Sequence, residues 1–376
     1  MDWQLEQVEK EETKGERVGA QIEELASDLI RFESTNAERV NLCADFCSEW
    51  LKSRGLQVEV WENHGLKSVV ATVGEGEQTI ILNGHLDVVP GQPQLFHPRQ
   101  EQDKLYGRGS YDMLGAVAAM MVLMTELVEE PPACKVILAL VPDEETGGQY
   151  GSGFLVQQGI VGDFVICGEP TNLKLGIHAK GILQLTVDVK GTAAHGSRPW
   201  LGKNAILEAL ENYKLIVSLD VFQQSSDYFK QPSVNLALIQ AGKVFNQVPD
   251  LCSLGIDIRY LPGQRPEEIL EKIRQINPEA EITIRYQGLP VETRSDDIFV
   301  GKLHEIANEH SGNQSIFFGQ DGAADTRYYA EKGIPAIEFG PTGANHHGPG
   351  EYVEIESLYV YKSILKQFVH QLTSKG

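Results

Sequence analysis

The sequence holds no long uninterrupted apolar run, and its amino end, MDWQLEQVEKEETKGER, has neither a basic start nor an apolar core. Neither a bilayer span nor a secretory leader is therefore expected. Positive charge is in deficit: 32 Lys and Arg face 53 Asp and Glu, for a formal net charge of -21. A surface of that sign repels nucleic acid and anionic membrane, and no basic patch interrupts it. Cysteine is sparse. Cys43, Cys47, Cys134, Cys167 and Cys252 are odd in number and scattered through apolar segments, the pattern of reduced core thiols in a cytoplasmic protein and not of a disulfide framework. Internal repeats and low-complexity segments are absent as well. What is left is an ordinary globular composition, 41% hydrophobic and 23% charged over 376 residues, long enough for two or three domains.

The stretch that organises the chain is TIILNGHLDVVP, Thr79 to Pro90. Its β-branched opening reads as a buried strand that ends at Asn83-Gly84 and delivers His85 and Asp87. Side chains two apart on an extended chain share a face, so an imidazole and a carboxylate emerge together at a strand's carboxyl end, where open α/β sheets carry their sites. Taken alone, a His-x-Asp is common and reads more readily as a satisfied histidine beside a solvated aspartate than as a ligand pair. The rest of the chain has to supply further ligands.

It does so in order. Helical spacing predicts helices over Val18–Phe32 and Val40–Arg54, followed by strands over Gln57–Trp61 and Ser68–Val73. His64 lies in a surface turn. Met113–Leu127 is apolar almost all round and reads as a buried helix with Asp112 at its amino end, where a carboxylate can cap the helix and complement its dipole. Gly107, Gly109 and Gly115 suggest close backbone approach beside it. The apolar strand Lys135–Val141 runs into PDEETGG, which crowds Asp143, Glu144 and Glu145, and the strand Val161–Cys167 ends in Gly168-Glu169-Pro170. Three strands each finish in acids or His, and solvated turns rarely need that.

From Ala179 the texture changes. Strand Ile182–Lys190, helix Lys203–Leu219, strands Ser233–Gly242 and Asp250–Tyr260, helix Pro266–Ile276 and strand Glu281–Tyr286 make a βαββαβ order, the ferredoxin-like unit. Residues 180–287 are thus expected as an inserted domain, with 1–179 and 288–376 forming the first. The returning chain carries helix Asp297–His310, the Gly-rich turn GQDGAADTRYYA, strand Ile334–Phe339, the loop GPTGANHHGPGEYV and helix Glu356–Leu372. The collected candidates are His85, Asp112, Glu144, Glu145, Glu169 and the pair His346-His347, enough for two metals that share a carboxylate.

As an ordered set, NGHLDVVP, GRGSYDM, PDEETGG, GEPT, GTAAHGSRP, NQVP with DIRY, and HHGPGEYV closely resemble the zinc metallopeptidase and amidohydrolase family of acetylornithine deacetylase, succinyl-diaminopimelate desuccinylase, aminoacylase and glutamate carboxypeptidase. The resemblance runs from about Val18 onward. It implies an α/β fold: a zinc-exopeptidase-like catalytic domain, a mixed sheet with helices on both faces, and an inserted ferredoxin-like βαββαβ lid or dimerisation domain. Carried over residue by residue, it implies that His85, Asp112 and Glu169 hold one divalent ion and Asp112, Glu145 and His347 the other, zinc first, with cobalt or manganese as alternatives. Asp87 is expected to take a hydrogen bond from the second ring nitrogen of His85. Glu144 is the implied general base, and because neighbours in an extended segment point apart, Glu144 and Glu145 are expected to serve different partners.

The same resemblance makes His195 the oxyanion donor, Arg259 the grip on a substrate carboxylate and Asn246 a further substrate contact. Without it, His195 reads as a turn residue and Arg259 as an edge-strand surface Arg. The expected reaction is hydrolysis of the amide of a small N-acyl amino acid. A dipeptidase or carboxypeptidase using the same site is the alternative, and a non-catalytic metal-binding or interaction protein a remote one. The expected assembly is a homodimer through residues 180–287, with no nucleic-acid or membrane partner. Two positions depart from the family pattern: Leu114 stands where Lys is usual, and Ala324-Asp325 where a Ser-Asp pair is usual. His97, His178, His304, His310 and His370 match no motif.

Overall fold

Strand Thr79–His85 lies between two parallel neighbours, Lys135–Val141 and Phe164–Cys167, and Ala336–Glu338 continues the parallel set beyond the latter. These four are the heart of a mixed sheet in a computed structural model that describes residues 22–311, 316–322 and 324–372. On the far side of Lys135–Val141 the sheet turns antiparallel through Leu66–Val73 and its hairpin partner Gln57–Asn63. The polar leading stretch and the start of the helix expected from Val18 lie outside the described residues; the helix itself is present from residue 22 to 31, and the next spans Ala37–Lys52.

The period of two along the central strand sorts its side chains between two helical layers. Ile81 joins Ile137, Val165 and Ala336 in a cluster with Leu155 and Tyr329, from the short helices Ser152–Gln157 and Thr326–Ala330. On the opposite face, Gly84 leaves room for Met120 and Val117 of helix Gly115–Glu129, since a Cβ there would stand 2.9 Å from each. That helix packs on Ile355–Gln371, and Lys362 and Lys366 of the latter both pair with Glu126. Helices therefore cover both faces of the sheet.

Among the described residues, Ser110–Glu129 is long and apolar enough to cross a membrane, against the sequence expectation that no such run exists, but 78% of its most apolar window is buried inside the fold. Its neighbours are other helices and the sheet, as in a core helix. All five cysteines are free and buried.

The chain divides into two compact units: Met1–Ile177 with Thr293–Phe318 and Ala324–Gly376, and His178–Glu292 with Gly319–Ala323. The sequence expectation placed the insert at 180–287. Taken by itself, the second unit is a four-stranded antiparallel sheet in the order Ser233–Ala241, Leu251–Tyr260, Gly181–Lys190, Glu281–Gly288, with helices Ala205–Val217 and Pro266–Ile276. Alternation again decides the layers. Leu183, Leu185, Val187 and Val189 face inward with Cys252, Leu254, Ile256 and Ile258, and Ile269 and Ile273 of the second helix close over them. Each such side chain contributes about 1.5–3 kcal/mol by leaving water. The intervening Gln184, Asp257 and Arg259 stand on the other face, joined by hydrogen bonds to Asp257. Asn204 caps the first helix by accepting from the Ile206 amide.

Gly181 touches the limit of this packing. A Cβ there would lie 2.2 Å from the Tyr260 ring, and Tyr260 is fully buried, its hydroxyl donating to the Gly288 carbonyl at 2.8 Å. The ring has nowhere to retreat. Gly181→Ala is expected to destabilise the protein by about 1–3 kcal/mol, measured by denaturant unfolding; an unchanged midpoint would show that the ring yields freely.

Candidate metal centre and active site

Three parallel strands end in the candidate residues. His85 is the last residue of its strand, Glu144 and Glu145 follow Lys135–Val141, and Glu169 follows Phe164–Cys167. The fourth contribution, Asp112, sits where helical geometry fails. Within the turn Ser110–Leu114, Asp112 and Met113 have non-helical φ/ψ, their shared peptide is cis, and the regular helix begins only at Gly115. The capping role that a carboxylate here could have served is therefore not found, and Leu114 stands at the N-cap. Its carboxylate is turned to two imidazoles instead: Oδ1 lies 3.1 Å from His85 Nε2 and Oδ2 3.3 Å from His347 Nε2. His347 Nε2 is also 3.1 Å from Glu145 Oε1. His346 faces elsewhere, its ring 6.1 Å from that of Tyr111.

The tautomer of His85 follows from its second nitrogen. Nδ1 is 2.8 Å from the main-chain oxygen of Asp87, and a carbonyl can only accept, so Nδ1 carries the proton. Nε2 then presents its lone pair to a carboxylate oxygen. Two acceptors at that distance require a positive charge between or on them, either a second ring proton or a metal ion. His85, Asp112 and Glu145 offer ligand atoms that all lie within 4.8 Å of one another, and an oxygen-and-imidazole set suits a divalent transition metal. These three residues fit one divalent ion; the group takes one member from each of the two ligand sets that the resemblance implies, with Asp112 common to both, and does not include Glu169 or His347.

The expected hydrogen bond from His85 to the Asp87 carboxylate is corrected by this geometry. That carboxylate stands 3.6 Å from Nδ1 because it is engaged elsewhere, accepting from the amides of Glu144 and Glu145 at 3.1 and 3.0 Å. Asp87 thus anchors the turn that bears both glutamates. The turn is a 3-10 segment, Glu144–Thr146, and not the extended one from which their divergence was expected. On its other side the Gly147 carbonyl accepts from Arg327 Nη2 at 2.7 Å and from the Tyr328 hydroxyl. Gly148, at φ +63, passes over Asp325 so closely that a Cβ would meet its Oδ1 at 1.9 Å. Asp325, in the place where relatives are expected to carry an Asp after Ser, is a buried wall of this turn.

Charge in the centre is crowded. Burial, and then the repulsion of Asp325, Asp87 and Asp112, pushes the Glu144 carboxyl well up, against the pull of His85. Burial raises Glu145 and also Glu169, the latter further repelled by Glu144. Asp112 is the exception: burial opposes its ionisation, yet hydrogen bonds with His347 and His85 hold it below the carboxylate range. His347 is pushed up to about 9, first by its bond to Asp112. Burial lowers His85, but Asp112, Glu169 and Asp87 together carry it well above the usual imidazole value.

Family membership follows from comparison. The model of the peptidase family M20/M25/M40 matches residues 81–371. The chain belongs to that family. A probable succinyl-diaminopimelate desuccinylase of Staphylococcus aureus is 25% identical, over 92% of this chain and 95% of that protein. Among solved structures, the aminopeptidase PepT of Bacillus cereus superposes with a TM-score of 0.80 at 16% identity, covering 94% of this chain and 98% of the other. The YXEP protein of Bacillus subtilis, described as a dinuclear metal-binding peptidase, gives 0.69 at 16% identity, covering 94% and 98%. As an M20 family member the chain is a hydrolase of amide or peptide bonds, with a catalytic domain and an inserted domain.

The remaining candidates lie in the second unit. His195 is exposed, its Nδ1 2.8 Å from Ser197 Oγ and its backbone bridged to Gln247. The Asn246 carbonyl accepts from the Gly196 amide at 2.7 Å. Arg259 is held by Asp257, Nε to Oδ1 at 2.8 Å, a partner that the sequence pattern did not single out. Leu114, the departure from the family's Lys, is a core residue, 1% exposed. Arg108, Glu351, Arg327 and Tyr328 were not among the candidates, although the first two stand inside the quoted GRGSYDM and HHGPGEYV motifs. Arg and Tyr are not metal-ligand types, and the part played by Glu351 shows only in its contacts with Arg108 and with the Tyr111 and Asp112 amides.

Proposed function

We propose that the protein is a di-metal amidohydrolase that cleaves the amide bond of a small N-acyl amino acid bearing a free carboxylate, of the acetylornithine deacetylase and succinyl-diaminopimelate desuccinylase type. The observation that carries this reading is Asp112, whose two carboxylate oxygens each face a different imidazole, the posture of a carboxylate shared by two cations. His85, Asp112 and Glu169 would hold one ion, and Asp112, Glu145 and His347 the other, with zinc the preferred metal and cobalt or manganese acceptable. Bound ions of this kind lower the pKa of water and polarise a carbonyl oxygen.

The chain's own residues do the rest. Glu144 takes the proton of the attacking water and returns it to the departing amine, the work of a general base and then a general acid. Asp87 and the Gly147 contacts keep Glu144 in place. His195 donates to the oxyanion, Arg259 exchanges Asp257 for the substrate carboxylate through its planar fork, and Asn246 adds a polar contact. The five buried free thiols accord with a reducing, cytoplasmic setting.

Purified metal-replete protein assayed on N-acetyl and N-succinyl amino acids and on dipeptides tests the substrate class. Turnover of acyl amino acids that is lost on chelation and restored by zinc or cobalt is expected; dipeptides as the only substrates would favour a dipeptidase, which the likeness to an aminopeptidase structure keeps in view. Glu144→Gln should retain its metals and lose about 10²- to 10⁴-fold in rate, and near-normal turnover would move the base elsewhere. Of the two adjacent histidines, His347→Ala should lose one metal by elemental analysis and His346→Ala neither; the reverse result would shift the register.

The 178–292 unit is also proposed to join two copies, with His195 of each acting in the other's site. Mixing His195→Ala with Glu144→Ala protein under subunit exchange should restore about a quarter of wild-type activity, since half of the dimers would be mixed and each would have one complete site. Inactive dimers, proven mixed by tagged pull-down, would place His195 in its own chain's site or outside catalysis.

A further inference from the structure

Arg108 and Glu351 form a salt bridge between segments 243 residues apart, Nη1 to Oε2 at 2.6 Å, with side chains only 4% and 1% exposed. The pair does not end there. Glu351 Oε1 accepts from the amides of Tyr111 and Asp112 at 3.2 and 3.1 Å, and Arg108 Nη2 donates to the carbonyl of His347 at 3.0 Å. One buried unit thus grips the main chain of Asp112 with its carboxylate and the main chain of His347 with its guanidinium.

Neither gripped segment holds its own shape by regular structure. Gly109, directly after Arg108, is left-handed at φ +80, Asp112 departs from helical geometry, and His347 is left-handed at φ +60. A non-glycine residue in that region persists only when its surroundings impose it. A buried ion pair is, moreover, a poor device for stability alone, because an apolar pair of equal volume often does as well or better. An apolar pair cannot accept from two amides and donate to a carbonyl.

We propose that the Arg108–Glu351 pair is a positioning unit that sets the backbones of Asp112 and His347 together and so fixes the geometry of the metal ion they share. This rests on the reading of Asp112 and His347 as metal ligands. Arg108 is required for its fork: a lysine keeps the charge opposite Glu351 but, as a point donor on a single stem, cannot hold Glu351 Oε2 and the His347 carbonyl in the same geometry. Glu351 is required for two acceptors at once, Oε1 for both amides and Oε2 for the guanidinium, whereas a glutamine puts an NH2 donor at one of those positions.

The test is zinc binding by the purified full-length protein, measured by competition with a chromophoric chelator, alongside thermal unfolding. Arg108→Lys should unfold near the wild-type temperature, bind one zinc ion as wild type does, and bind the second about 10- to 100-fold more weakly, the range typical of losing a group that orients a ligand. Glu351→Gln, isosteric and uncharged, carries the same expectation if the lysine variant does not fold. A double variant, Arg108→Met with Glu351→Met, should unfold near the wild-type temperature and still bind the second zinc weakly, which a purely structural pair would not predict. Wild-type affinity for both ions in Arg108→Lys or in Glu351→Gln overturns the proposal. Wild-type protein that itself binds fewer than two zinc ions overturns the metal reading and this inference with it, and that control separates the two failures.

Discussion

The constraint on which the rest of this structure depends is the gathering of Asp87, Asp112, Glu144, Glu145 and Glu169 around the imidazoles of His85 and His347, most of them buried. Like charges brought together out of solvent repel, and burial penalises each ionised group further. The upward push on Glu144, Glu145 and Glu169 is the direct expression of that cost. Such a cluster persists only where cations satisfy it and a rigid frame prevents it from relaxing apart. Asp112 shows what satisfaction does, since its contacts with His85 and His347 hold it ionised despite its burial.

The frame is built from main-chain contacts more than from side-chain packing. Asp87 takes the amides of Glu144 and Glu145, the Gly147 carbonyl is held by Arg327 and Tyr328, and Glu351 takes the amides of Tyr111 and Asp112. Each contact fixes where a chemically active side chain begins, and leaves its end free for chemistry. Loops that follow parallel strands are well suited to this, because the strands fix the loop origins and the buried acids between them serve as acceptors. Glycines at 147 and 148, both at positive φ, allow the loop to turn back tightly after the two glutamates.

Much of the site was legible in the chain because its signal is local. A strand of period two that ends in His-x-Asp, an apolar strand that runs into three acids, and an almost wholly apolar helix are patterns of neighbours; the strand Lys135–Val141 occurs with the bounds expected, and the helix expected over Met113–Leu127 spans Gly115–Glu129. Other expectations failed where local preference was overridden. For Asp112 it was the plainer alternative to a metal ligand, a helix cap, that failed: the turn Ser110–Leu114 departs from helical geometry and its carboxylate meets the histidines. The Asp87 carboxylate was expected at His85 and is at the amides of the following strand's loop, which is a contact 57 and 58 residues away. The short strands Arg99–Glu101, Lys104–Tyr106 and Tyr352–Glu354 were not foreseen either, since runs of three residues carry no period to detect.

What the sequence by itself determined is therefore the chemistry available: which acids and histidines lie at strand ends, in what order, and which face of each strand or helix seeks the core. Those properties depend on residue type and on spacings of two to four positions, which backbone geometry translates into faces. The tertiary structure alone decided which nitrogen of His85 carries the proton, that the Asp87 carboxylate holds the amides of Glu144 and Glu145, and that Arg108 and Glu351 join two segments 243 residues apart. Such contacts depend on the meeting of segments far apart in the chain, and a single sequence holds no spacing from which that meeting can be read.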